Sequence, residues 1–345
     1  MEPVAEKRFS YEKLDAWGRK VLATTEMSDA EASAVMEVLL AANLQGRDTH
    51  GIHMITSYAE RYKAISHRDI QIAEDRGAGC LIDGGNHTGP MTSLFALDEA
   101  VKKAEQFGIG MSVVKESCHN GAIGYYTQLA AEKGYIALAA TTVMPLLAPW
   151  GGLEPFLGNN PFAIAFPYKE MPIILDIAVT VSARQKIYSY AREGWKLPDG
   201  WAMDKEGNPT NDPHAALEGL LMPVGGHKGA GIAMMIDLML GSLAGSYSRA
   251  ICPNVVTDRE QHIAHMFIVI NPEFYVDPAV MEERVAQYVK DYKNVKPKKG
   301  AQILLPGELE WNNTKDRMAN GIPISAADLK KLNDYADQIG IEHLA

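Results

Sequence analysis

The stretch "GRDTHGIHM", residues 46–54, sets Arg47, Asp48, His50 and His53 within nine positions, beside Gly51. Arginine brings a permanent charge and a planar fork suited to a carboxylate, and the Thr49 hydroxyl stands next to it. Histidine exchanges protons near neutral pH. His50 and His53 are three residues apart, but no cysteine or acidic ligand completes a metal set, so no metal is expected. The plain alternative is a polar turn between helices with a solvated charge cluster. A second stretch, "ESCHNGAIGYY" at 116–126, carries His119 between an expected strand and an expected helix. The carboxyl end of a strand is where α/β proteins place ligands. A histidine there is suited to taking a proton from an alcohol during oxidation, or else it is a capping or buried structural residue. A third, "PVGGHKGAG" at 223–231, opens a long apolar run with glycines and Lys228. Free backbone N–H groups, a helix amino end and an ammonium make a phosphate cradle, although glycines also serve close helix packing. Neither a G-x-G-x-x-G nor a Walker sequence is present.

These residues need elements to hold them. In the first 65 residues Leu14, Trp17 and Val21 recur at helical spacing. Ser28 and Glu31 fit a capping box before an apolar face of Val35, Val38, Leu39 and Ala42. "THGIHM" interrupts, and "SYAERYKAI" resumes as helix. Residues 75–90, "RGAGCLIDGGNHTGP" among them, shift to glycine and turn residues and mark a domain crossing. The middle alternates. "LFALDEAVKKAEQF" and "GAIGYYTQLAAEKG" read as helices, and "GIGMSVVKE", "YIALAATTV", "FAIAFP", "PIILDIAV" and "HMFIVIN" as strands. "GHKGAGIAMMIDLMLGSLAG" reads as a buried helix, and "LPDGWAMDKEGNPTNDP" as a long polar loop. From about residue 275 the pattern is helical again except for "QILLPGE", and the two chain ends are expected to fold together.

The chain has 345 residues, enough for one large domain or two ordinary ones. At 47% hydrophobic and 22% charged it can bury a sizeable core. A net charge of −10 gives no general attraction for nucleic acid or an anionic membrane, so neither is expected as a partner. Cys80, Cys118 and Cys252 are odd in number, far apart and without a C-x-x-C pair, which fits a reducing cytoplasm. "MEPVAEKRFSYEKL" has no apolar h-region and is not expected to act as a secretory signal. "GIAMMIDLMLGSLAG" contains Asp237 and is too short to span a bilayer.

Taken in order, "THGI", "HNGAIGYY", "APWGG", "LGNNPFAIAFP", "LDIAVTVSARQKI", "LPDGWAMDKEGNPTNDP", "GGHKGAGIAMMIDLMLG", "FIVINPEF", "LLPGE" and "RMANGIPI" make the chain resemble the malate and L-lactate dehydrogenase type 2 family. This is the sulfolactate dehydrogenase-like group, which includes ureidoglycolate dehydrogenase and the piperideine-carboxylate reductases. The resemblance implies an NAD- or NADP-dependent oxidoreductase acting at C2 of a small 2-hydroxy or 2-oxo acid. It implies an α/β (α+β) fold that is not Rossmann. A helical domain from 1–75 plus 300–345 would pack on a central domain, 76–299, with a largely antiparallel sheet that binds the nicotinamide cofactor. It also implies a homodimer. Onto this sequence the resemblance carries His119 as catalytic acid/base, with His50 and Thr49 as the pair beside the substrate and Tyr58 as a pocket tyrosine. Val143, Asp176, Ile177, Ala178, Lys228, Pro306, Gly307 and Glu308 fall on cofactor-contacting positions.

The sequence also departs from the family. Met54 replaces an arginine that helps bind the substrate carboxylate, Val143 replaces a serine, and Cys118 and Asn120 flank His119. With Met54 in place, Arg47 is the nearest permanent cation for the substrate. Two other readings stay open: a cyclic imino-acid reductase, and a non-catalytic cofactor-binding homologue.

Overall fold

A computed structural model describes residues 6–252 and 258–345. The two chain ends share one core. The strand Glu6–Phe9 pairs antiparallel with Ile322–Ser325. Around this ribbon pack the helices Tyr11–Leu22, Asp29–Leu44, Ile55–Ala64 and Ala326–Ile339. Leu14, Trp17, Leu39 and Ile55 from one end meet Ile322, Leu332 and Tyr335 from the other, all buried. Helix Asp29–Leu44 starts where its cap requires: the Ser28 hydroxyl accepts the Glu31 N–H at 3.2 Å. Glu31 does not close the box. Its carboxylate instead takes the Thr88 N–H and His87 Nδ1, each at 2.9 Å.

The larger part is a seven-stranded sheet in the order Gln71–Arg76, Gly79–Asp83, Ile109–Ser117, Ile263–Ile270, Ile136–Thr141, Phe162–Phe166, Ile173–Ile177. Only the second and third strands of this order run parallel; every other neighbouring pair is antiparallel. Side-chain alternation gives each face its own cover. Val114, Ala137, Phe267 and Val269 face helices Gly89–Phe107 and Gly124–Glu132. Val113, Ala140 and Met266 face helix His227–Ala244.

Several expectations change. Helix His227–Ala244 is not buried all round. It buries Ala233, Ile236 and Leu240 but leaves Met234, Met235, Leu238 and Leu243 exposed, by 41–62%. The "LPDGWAMDKEGNPTNDP" loop holds two strands of a small three-stranded sheet, Ala202–Met203 and Pro209–Thr210, with Leu220–Leu221 as the third. "QILLPGE" forms no strand; it turns into helix Glu308–Asn320. Within 75–90, Gly79–Asp83 is a strand of the large sheet, and Gln71–Arg76 pairs with it. No helix among the described residues is long and apolar enough to cross a membrane.

Candidate active site

His119 follows the carboxyl end of strand Ile109–Ser117, and its backbone is fixed from two sides. Its N–H donates to Gln261 Oε1 at 2.9 Å. Helix Gly89–Phe107 begins against its carbonyl so closely that a Cβ on Gly89 would lie 2.3 Å from that oxygen. Only glycine fits there. Beneath, buried His265 ties the strands together: its ring meets Thr141 Oγ1 at 2.8 Å and Ser117 Oγ at 3.0 Å. Burial pushes His265 down to about 3, so it is a neutral strut.

The His119 ring meets residues from the amino-terminal helices. Tyr58 Oη, on helix Ile55–Ala64, lies 3.0 Å from Nδ1 and donates to the His119 carbonyl at 2.9 Å. The Gly121 N–H reaches Nδ1 at 3.3 Å. On another side His50 stacks, with centroids 5.8 Å apart and planes 17° from parallel. Thr49 Oγ1 lies 3.0 Å from His50 Nδ1. Burial, then the neighbouring His50 and other positive groups, pushes His119 down to about 3. Burial, then Arg47 and His53, pushes His50 down to about 4. Both imidazoles are therefore neutral near pH 7.

The crowded opening stretch divides into separate jobs. Asp48 accepts from Nη1 and Nη2 of Arg317 at 2.6 and 3.0 Å, and from Asn43 Nδ2 at 2.7 Å. The Asn43 Oδ1 accepts the Ile52 N–H at 2.7 Å, which pins the two short 3-10 turns Asp48–His50 and Ile52–Met54. Arg47 was expected to face the substrate. Its guanidinium instead pairs with Asp176, and with Glu310 at 3.4 Å. Carboxylates of the chain itself already answer its charge.

Two cavities adjoin this cluster. One is lined by His119, Tyr58, Met54, Arg61, Asn86 and Thr88 among others. Thr49 and His50 do not line it. The other is lined by Arg47, Gly124, Ile174, Gly307, Glu310 and Trp311 among others. Asp176 stands at its edge, near the end of strand Ile173–Ile177, where its Oδ2 accepts the Gly124 N–H at 3.0 Å. Ile177 and Ala178 follow it in the chain. The Pro306 carbonyl accepts the Ile174 N–H at 3.1 Å, which lays 305–307 along that strand. Glu308 is occupied within its own turn: it caps the Leu305 N–H at 2.8 Å and pairs with Lys293. Val143 lines neither cavity; its N–H donates to Asn160 Oδ1 at 3.1 Å. Lys228 is exposed at the start of helix His227–Ala244, after Gly225 and Gly226 at φ +63° and +65°. Thr49, His50, Tyr58 and His119 thus form one cluster, and Arg47, Asp176, Pro306 and Gly307 a second. Val143 and Lys228 stand apart from both. Sequence reasoning missed Arg61, Gln261, His265, Asn86 and Thr88. Arg61 alone carried a signal: it lies seven residues after Met54, on the same helical face.

Residues 9–333 match the malate/L-lactate dehydrogenase family. The L-sulfolactate dehydrogenase of Methanocaldococcus jannaschii is 33% identical, covering 99% of this chain and 97% of its own. Its solved structure superposes with a TM-score of 0.91 over 97% of this chain and 98% of that one. A malate dehydrogenase from Entamoeba histolytica gives 0.92 at 28% identity, covering 98% and 99%. A delta1-piperideine-2-carboxylate reductase from Pseudomonas syringae gives 0.82 at 27%, covering 95% and 99%. Match, fold and near-complete mutual coverage agree: the chain belongs to the malate/L-lactate dehydrogenase family and is an oxidoreductase of that family.

Proposed function

We propose that the chain moves a hydride between a nicotinamide cofactor, NAD or NADP, and C2 of a small 2-hydroxy or 2-oxo acid. The observation that carries this is His119, neutral and fixed by Tyr58, lining a largely apolar cavity. In oxidation the alcohol carbon gives up hydride to the cofactor, and the hydroxyl proton goes to His119. The products are a 2-oxo acid, the reduced cofactor and one proton. The nicotinamide supplies the hydride chemistry when bound. His119 engages Tyr58 and Gly121 through Nδ1, so Nε2 serves the substrate. In reduction the imidazolium, protonated on both nitrogens, gives its Nε2 proton to the oxygen of the 2-oxo acid and is left as the neutral ring. With the proton on Nδ1, donated to Tyr58 Oη in place of the bond that Nδ1 accepts from the Gly121 N–H, Nε2 takes the proton of an alcohol. Thr49 holds His50, and His50 braces the His119 ring by stacking. Arg47 acts as a wall of the cofactor cleft.

The residues fit a dinucleotide. Gly307 lines a cleft whose Arg47 and Gly124 are held by Asp176, and a helix amino end with Lys228 exposed after two left-handed glycines suits phosphate. Lys228→Ala is expected to weaken NAD or NADP binding about 10- to 100-fold, the scale of one charged contact at about 1.5–3 kcal/mol. Fluorescence titration of reduced cofactor measures this, and unchanged affinity would assign Lys228 elsewhere.

A homodimer is supported by the exposed apolar face of helix His227–Ala244, because a contiguous apolar surface of this kind marks an interface. Met235→Glu with Leu238→Glu should convert a dimer to a monomer in sedimentation. A wild-type monomer would remove the reading. The buried free cysteines suit a cytoplasmic setting. We further propose a helical domain from both chain ends and a central domain, as the shared terminal core supports. Gln71–Arg76 belongs to the large sheet, which moves the first boundary from 75 to just before Gln71.

Following nicotinamide absorbance with hydroxy acids, oxo acids and cyclic imino acids tests the function. The similarity to the piperideine-carboxylate reductase keeps imine reduction as a second reading. Turnover of imines alone would favour it. Cofactor binding with no turnover on either panel would favour a non-catalytic homologue.

A further inference from the structure

We propose that the cavity beside His119 selects an acid with one carboxylate and an uncharged, hydrogen-bonding tail, and disfavours a second acidic group. The inference rests on the 2-hydroxy acid reading above and names the substrate class within it.

The cavity's charge is lopsided. Among the described residues Arg61 is the only arginine in its lining, which holds no lysine, and Met54 presents a thioether just before the helix that carries Arg61. Arg61 is 6% exposed, and its Nη1 is oriented by the Arg259 carbonyl at 2.8 Å. Arg61 and His119 line the same cavity, as a group holding the carboxylate next to C2 requires. One permanent cation suits one carboxylate; a dianion would bring a second charge with no partner.

The Asn86 and Thr88 side of the cavity is arranged for a neutral group. Both residues line it and are 3% and 5% exposed. Asn86 Oδ1 and Thr88 Oγ1 receive no hydrogen bond, which is costly for buried polar atoms. Carboxylates back both residues. Glu260 Oε1 takes Asn86 Nδ2 at 2.8 Å, and Glu31 Oε1 takes the Thr88 N–H at 2.9 Å. An anionic tail would meet an acceptor backed by negative charge. A hydroxyl tail donates to Asn86 Oδ1 and accepts from the Thr88 hydroxyl, and so satisfies both orphaned atoms.

The test compares pyruvate, hydroxypyruvate and oxaloacetate as oxidants of NADH and of NADPH. Their tails are a methyl, a hydroxyl and a second carboxylate. In parallel, thermal shift of the cofactor-loaded protein is read with lactate, glycerate and malate. Hydroxypyruvate should exceed pyruvate in kcat/KM by about tenfold or more, with oxaloacetate below both. Thr88→Val removes the hydroxyl and keeps the backbone bond to Glu31. It should lower kcat/KM for hydroxypyruvate about tenfold more than for pyruvate. Oxaloacetate preferred over hydroxypyruvate, or a ratio unmoved by Thr88→Val, would overturn the inference and leave the dehydrogenase reading standing. Should no acid turn over while glycerate stabilises more than lactate and malate, the tail assignment holds and the dehydrogenase reading fails. No turnover and no glycerate preference would overturn both.

Discussion

His119→Asn is expected to lower kcat by roughly 10²–10⁴-fold, the size of a general acid–base contribution. Asparagine keeps a polar group of similar reach beside Tyr58 and Gly121, so the cavity and the cofactor affinity should change little. The pH dependence follows from the ring's setting. Burial and the neighbouring His50 hold His119 down to about 3, so it stays neutral as pH falls from 7 and protonates only near that value. Oxidation needs the neutral ring, so kcat/KM for a hydroxy acid should stay flat from neutral pH down to about pH 5. Reduction needs a proton delivered to the developing alkoxide, so its kcat/KM should climb as pH falls over that range. A variant with near-normal kcat in both directions would remove His119 from the chemistry. An oxidative profile falling off near pH 6.5 would show that the ring titrates as if solvated.

The sequence revealed elements more readily than it revealed partners. Strand and helix periods in the middle of the chain named five strands of the sheet, and His119 at the end of one of them. Gln71–Arg76 escaped because it is exposed on both faces and shows no apolar alternation. Helix His227–Ala244 is apolar nearly all round, which gives no sign of how much of that surface its own chain covers. "QILLPGE" looks like a strand but lends strand Ile173–Ile177 only the Pro306 carbonyl bond. In the opening stretch, residue types announced chemistry but could not assign it. Asp48 is met by Arg317, 269 residues away, and Arg47 by Asp176, 129 residues away. No local pattern records a pairing over such separations. Asn86 and Thr88 gave no signal because their significance is the absence of a partner, which only packing reveals.

That long-range pair sets the second large effect. Asp176 is 6% exposed at its side chain and Arg47 21%, so both charges have lost much of their water. Burial lowers the Arg47 pKa, and Glu310 at 3.4 Å offsets part of that. Asp176 also accepts the Gly124 N–H, so one carboxylate joins the amino-terminal turn, the sheet edge and the start of helix Gly124–Glu132. Asp176→Asn keeps the shape and an acceptor for Gly124 but strands the guanidinium. Breaking a buried pair from one side costs about 3–5 kcal/mol. With Glu310 still near and Arg47 partly wetted, about 2–3 kcal/mol is expected, read from the urea midpoint at unchanged m-value. The double variant Arg47→Met with Asp176→Asn removes both desolvated charges while keeping an acceptor for Gly124, and should recover most of that loss. If Arg47 bound the substrate's carboxylate instead, Arg47→Ala would raise KM for the acid while the unfolding midpoint stayed within about 0.5 kcal/mol of wild type. That result would return Arg47 to the substrate and reduce its bond with Asp176 to a resting contact. A lowered midpoint, with weaker cofactor binding and little change in acid KM, would make the pair the clasp between the terminal helices and the sheet edge.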